Sequence, residues 1–117
     1  MIPLIFGGIM NFDTLTISKV ILIIRFCDNN HITIIRREKN LDFLYKNDIA
    51  IDQAKDFVRS LAIEDFVKGP LKDSNPTRKH PLWVFKKRGF DHICYIKLKI
   101  VNKRKETVVV SFHEDEN

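Results

Sequence analysis

Residues 82–113 read LWVFKKRGFDHICYIKLKIVNKRKETVVVSFH. Three runs rich in β-branched and aromatic residues, LWVFKKRG (82–89), HICYIKLKIV (92–101) and ETVVVSFH (106–113), follow one another, with RG and NKRK as turn material. Such spacing predicts two successive hairpins and therefore an antiparallel sheet. Within the second run Ile96, Leu98 and Ile100 alternate with Tyr95, Lys97 and Lys99. Successive side chains of a strand point to opposite faces, so one face is apolar and the other carries a phenol and two ammonium groups. If the third run keeps strict alternation, Val108, Val110 and Phe112 join the apolar face. Thr107, Val109, Ser111 and His113 then share the open face with Tyr95. Registers that keep the faces matched put Tyr95 either directly across from His113, with Lys97 across from Ser111, or one diagonal step away.

Upstream, the period changes. Ile17, Val20, Ile21 and Ile24 recur at helical spacing after Thr14 or Thr16, either of which can cap a helix running to about Phe26. The β-branched content makes a strand the rival reading. Asp28-Asn29-Asn30 is turn material, and HITIIRR (31–37) reads as a short strand. Asn40 or Lys39 opens a short helix, NLDFLYKN (40–47). Asp52 caps another, in which Ala54, Phe57, Val58 and Leu61 form the buried stripe. The polar stretch 67–81, with Gly69 and three prolines, reads as a long loop. The expected architecture is α+β, a small antiparallel sheet of three to four strands with N-terminal helices packed on one face.

The chain has 117 residues, which predicts a single domain, with 1–12 a loose N-terminal extension and 114–117 a polar tail. Met10 opens MNFDTL, a more typical cytosolic start than MIPLIFGGIM, which lacks the basic region of a signal peptide. TISKVILIIRFC is interrupted by Lys19 and Arg25, well short of the roughly 20 apolar residues of a membrane span. Cys27 and Cys94 each lie in apolar runs without metal-ligand spacing, so they read as core residues of a reducing cytoplasm, and neither a metal nor a cofactor is expected. Twenty Lys and Arg against fifteen Asp and Glu give a net charge of +5, which favours polyanionic partners.

An open face holding Tyr95, His113 and several lysines suits binding and cleavage of RNA. Attack by a ribose 2′-OH needs a base, cations for the charge building on phosphate, and an acid for the leaving 5′-oxygen. Tyr, His, Lys and Arg fill these roles without a metal. Trp83 and Phe85, with Lys86, Lys87 and Arg88, add aromatics and cations suited to stacked bases and phosphates, as do Lys99 and Ser111 on the sheet. The same pattern also fits a solvated face with Trp83 and Phe85 in the core.

The ordered set REKNLDFL, IAIDQAKDFVRSLAIEDFVKGP, LWVF, YIKLKI and VVVSFH, spanning about Thr14 to His113, resembles the MqsR-type mRNA interferase toxins of bacterial toxin–antitoxin systems, whose fold belongs with the RelE-like ribonucleases. The resemblance implies an endoribonuclease that cuts mRNA, with or without the ribosome, and is held inactive by an antitoxin protein encoded next to it. It implies activity at Lys68, in DF-x-KGP, and at Tyr95, which opens the Y-x-K strand; His113 occupies the basic position that ends the last strand. Lys68 and Lys97 are then expected to steady phosphate charge, and Tyr95 and His113 to move protons. The ordinary ranges of phenol, about 10, and imidazole, about 6.5, favour His113 as base near neutral pH. Where the best-known members carry a glutamine after the strand tryptophan, this chain has Val84, leaving Arg78, Lys79 and His80 of the loop as candidates for that role. A noncatalytic module that binds RNA or protein through the same basic face is the alternative. The two adjacent helices suggest helix-turn-helix only superficially, since Asp42, Asp48, Asp52 and Asp56 oppose a DNA backbone.

Overall fold

The computed structural model describes residues 16–75, 78–101 and 105–116; the expected N-terminal extension, the alternative cap Thr14 and most of the NKRK turn lie outside them. Thr16 caps the first helix, its hydroxyl accepting the Lys19 N–H at 3.3 Å. That helix, α1, spans Ile17–Phe26 and buries Val20, Ile21 and Ile24, the stripe that the periodicity marks. A single 3-10 turn leads into β1, Ile32–Ile34, followed by α2, Glu38–Lys46, and α3, Ile51–Arg59. Asn40 does not open α2 but lies inside it, fully buried. Similarly, α3 begins two residues earlier than Asp52 implies: Ala50 is the flanking residue, and the Gln53 side chain accepts its N–H at 2.8 Å. Asp52 instead occupies the first turn, where a carboxylate favours the helix dipole.

The sheet has five strands in the order β1-β5-β4-β3-β2, with β2 Phe66–Leu71, β3 Leu82–Gly89, β4 His92–Val101 and β5 Glu106–Glu114. All pairings are antiparallel except β1 with β5, which is parallel. The protein is therefore α+β, but its sheet is mixed and larger than the three to four antiparallel strands expected. The extra strand is β2, which falls in the stretch read as loop. Pro70 lacks a ladder donor, and β2 tolerates it as an edge strand whose register shifts on both sides of Lys68. Gly69 has φ +146°, and a Cβ there would lie 2.9 Å from the Leu82 carbonyl oxygen and 3.1 Å from Trp83 Cα. Only glycine allows the two backbones this approach. Strand β2 thus takes 66–71 out of the stretch read as loop.

β3 and β4 join through Phe90 and Asp91, with φ of 54° and 62°, so the turn falls after Gly89 rather than at RG. Two residues of positive φ give the twist that a tight hairpin needs. The unusual phenylalanine is held there by its ring contact with Phe57, centroids 5.1 Å apart. Helices and sheet meet in one apolar cluster, in which Val20, Ile24, Leu44, Val58 and Leu61 face Trp83, Phe85, Ile96, Leu98 and Phe112. Cys27 and Cys94 are free thiols within it. Among the described residues no helix is long and apolar enough to cross a membrane.

Strict alternation fails in β5. Ile96 pairs with Phe112 and Lys97 with Ser111, but Leu98 pairs with Val109, so Val110 is an extra residue in a bulge. Beyond it the faces exchange: Thr107 and Val109 are fully buried with the core, whereas Val108 and Val110 are half-exposed. A bulge adds one residue to one strand only, which is why period-two reasoning from Phe112 misassigns everything before it.

Candidate active site on the open sheet face

Two rows of paired residues cross the face opposite the helices. Lys68 of β2, Val84 of β3, Lys97 of β4 and Ser111 of β5 form one row; Lys86, Tyr95 and His113 form the next. Of the two registers open to the sequence, the structure has Tyr95 directly across from His113 and Lys97 across from Ser111. The Tyr95 and His113 rings stack, centroids 5.3 Å apart and planes at 19°. His113 Nδ1 lies 2.9 Å from the Glu114 carbonyl oxygen. A carbonyl only accepts, so this bond assigns the proton to Nδ1 and leaves Nε2 of the neutral ring as the acceptor. His113 is only 7% exposed and Ser111 2%, so neither is an ordinary surface residue.

A cavity of about 240 Å³ opens over this pair, lined by Tyr95, Lys97, Ser111 and His113 from the sheet, by Arg37 and Lys39 from the start of α2, and by Asp115 and Glu116. Asn40 brings α2 to this place. After β1 ends, β5 has a free edge, and Asn40 fills it: Nδ2 donates to Val110 O at 3.0 Å, and Oδ1 accepts the Phe112 N–H at 2.9 Å. Nδ2 also donates to Ile35 O at 2.9 Å, closing the β1–α2 connection. The side-chain amide thus does the work of a peptide unit in a neighbouring strand. Neither Arg37 nor Lys39 was read from sequence as a site residue, because RREKN reads there only as the lead into a helix.

Three acidic residues at and just beyond the end of β5 have partners. Asp115 donates its N–H to Ile93 O at 2.7 Å and pairs with Lys86 at 3.1 Å; Glu116 meets Lys39 at 2.6 Å, and Glu114 meets His92 at 3.3 Å. The Lys39 hydrogen bond, with the lysine's charge, holds the Glu116 carboxyl below its ordinary range. Lys68, Lys97 and Lys99, by contrast, have no carboxylate partner among the described residues.

Several residues expected to contact RNA lie elsewhere. Trp83 and Phe85 are 2% and 0% exposed, on the core face with Leu98 and Ile96, and cannot stack on a base. Lys87 shares their parity: its ammonium donates to the Ser60 carbonyl at 2.9 Å and lies 5.7 Å from the Phe57 ring centroid, bracing the end of α3. Arg88 is exposed and has the parity of Lys86, while Lys99 sits opposite Val108 on the open face. Arg78, Lys79 and His80 line a different cavity, with Pro70, Lys72 and Asp73, so the loop does not bring them to Tyr95. Val84 is completely buried between Lys68 and Lys97. A larger cavity, about 620 Å³, shares Lys39, His113, Asp115 and Glu116 with the first but lacks Tyr95, Lys97 and Ser111. Among the described residues no group of His, Cys, Asp or Glu is arranged to hold a metal ion.

No protein-family model, curated protein or solved structure matches this chain.

Proposed function

We propose that this chain is an endoribonuclease of RelE-like fold that cuts mRNA and so inhibits translation and growth, the toxin of a type II toxin–antitoxin pair. The observation that carries the reading is the Tyr95–His113 stack beside the facing Lys97 and Ser111, all lining one cavity. In this mechanism His113 Nε2 takes the proton of the ribose 2′-OH as the 2′-oxygen bonds to phosphorus. Lys97, with Lys68 further along the row, steadies the charge that grows on the phosphoryl oxygens. Tyr95 gives its phenolic proton to the 5′-oxygen as the phosphorus–5′-oxygen bond breaks. The products are a 2′,3′-cyclic phosphate and a 5′-hydroxyl, and the imidazolium proton returns through solvent to the phenolate.

The test is incubation of the purified protein, free of partner, with a defined mRNA in EDTA, with both product ends mapped. The reading expects discrete cuts with those termini, lost in Tyr95→Phe and His113→Ala. Intact RNA both with and without translating ribosomes would refute it and leave a binding module on a basic sheet face.

A further inference from the structure

The cavity has one wall that the mechanism above leaves without a task. Arg37 and Lys39 project from the start of α2 into the same space as Ser111 and His113, on the β5 side of the Tyr95–His113 pair. Lys97 and Lys68 lie along the sheet in the other direction, toward β3 and β2. Cations therefore border the reacting centre both on the sheet and at the start of α2. A single scissile phosphate needs only one of these two sets.

Two further observations point to an anion on the α2 side. Ser111 is 2% exposed and lines the cavity from the β5 side. A hydroxyl in the wall of an open space can donate to an anion that enters it. Second, an anion already sits there: the Glu116 carboxylate, itself part of the lining, is bound to Lys39 at 2.6 Å. A carboxylate and a phosphodiester present similar oxygens to an ammonium or guanidinium group.

Resting on the ribonuclease reading, we propose that Arg37, Lys39 and the Ser111 hydroxyl form a second phosphate subsite, which takes the phosphodiester neighbouring the scissile one, and that Glu116 occupies it until RNA arrives. The substrate is then a strand at least two phosphates long, threaded across β5 toward α2. Asn40 is the positioning residue, since its bonds to Val110 and Phe112 fix the start of α2 over the end of β5.

The experiment is an anisotropy titration with a short oligoribonucleotide that is 2′-O-methylated throughout and so cannot be cleaved, repeated over a range of salt. Arg37 and Lys39 are exposed, so their alanine variants keep the fold, which thermal melting checks. Arg37→Ala with Lys39→Ala is expected to weaken binding about tenfold and to flatten the slope of log K against log salt by about 0.7, the loss of one single-strand phosphate contact. Glu116→Gln should tighten binding, by no more than about fivefold for an exposed ion pair, and that gain should vanish in the Lys39→Ala background. Lys46→Ala, the loss of one charge at the far end of α2, is the control for each single change. If the Arg37 and Lys39 changes weaken binding no more than Lys46→Ala while Lys97→Ala abolishes it, the subsite is refuted and the ribonuclease reading stands. If wild type binds no oligonucleotide at low salt, both fall.

Discussion

Replacing Asn40 by alanine removes no apolar packing of consequence, yet it is expected to be among the most damaging single changes in the chain. Its side chain is fully buried and makes three hydrogen bonds, to Ile35 O, Val110 O and Phe112 N–H. The Phe112 N–H is itself buried, so its loss of a partner carries the whole desolvation penalty, about 1–3 kcal/mol. Both carbonyls are partly exposed, where water recovers some of the loss, and each costs about 0.5–1.5 kcal/mol. The expected destabilisation is about 4 kcal/mol, a large share of the roughly 5–15 kcal/mol that holds a domain folded. Asn40→Asp separates this account from one based on shape alone. A carboxylate accepts the Phe112 N–H but confronts two carbonyl oxygens to which it can donate nothing, so the near-isosteric aspartate should be no better than alanine at neutral pH. Urea unfolding, with the slope checked for constancy, measures both variants. A loss below about 1 kcal/mol for Asn40→Ala, or an aspartate variant as stable as wild type, would refute the argument.

Two other changes follow from backbone geometry and ionisation. Gly69→Ala should destabilise by about 1–3 kcal/mol, since φ +146° is hostile to a side chain and the new methyl meets the Leu82 carbonyl; denaturant unfolding would detect it, and an unchanged midpoint would contradict the strand pairing at Lys68. Burial, and then the charge of Glu114, pushes the Cys94 thiol from its ordinary 9.0 up to about 11. Below pH 9 the thiol is neutral in both folded and unfolded chains and contributes no slope. Between pH 9 and about 11 the unfolded chain ionises while the folded one holds its proton, so stability falls as pH rises, by about 1.4 kcal/mol per pH unit. Cys94→Ala should lack that part of the fall, and parallel curves for the two proteins would show the thiol to be accessible after all.

How far the sequence could be read depended on whether each signal was local. β3, β4 and β5 follow the sequence runs to within a residue because alternation in YIKLKI is unbroken and each run is rich in β-branched and aromatic residues. α1 and α3 were legible from a helical stripe, with polar residues between its members in α3 but with Leu22 and Ile23 among them in α1, where a strand stayed the rival. β2 was not, because Gly69 and Pro70 are loop residues by every local rule and become strand residues only against Leu82 and Trp83. Arg37 and Lys39 were missed on the same ground: nothing in RREKN says that a buried amide one residue later will dock the helix start on a strand seventy positions away.

β5 shows why the site was nonetheless found. Thr107, Val109, Ser111 and His113 are all odd-numbered, and an unbroken strand would put all four on one face. With Thr107 and Val109 on the open face, the core opposite Ile100 and Leu98 would be filled by Val108 and Val110 instead, which a valine-rich run accepts equally well, so VVV conceals its own register. The bulge at Val110 lets the strand close the core with Thr107 and Val109 and still present Ser111 and His113 to the opposite side. Parity counted from Tyr95 therefore held on the C-terminal side of Val110 and inverted before it. The half of β5 that carries the chemistry lies between the bulge and the strand end, where the register runs without interruption from Lys97–Ser111 to Tyr95–His113. The bulge also explains the dependence on Asn40. Val110 O of the extra residue and Phe112 N–H, two residues on, lie along an edge that β1, ending at Ile34, no longer covers, and a side-chain amide there replaces a strand.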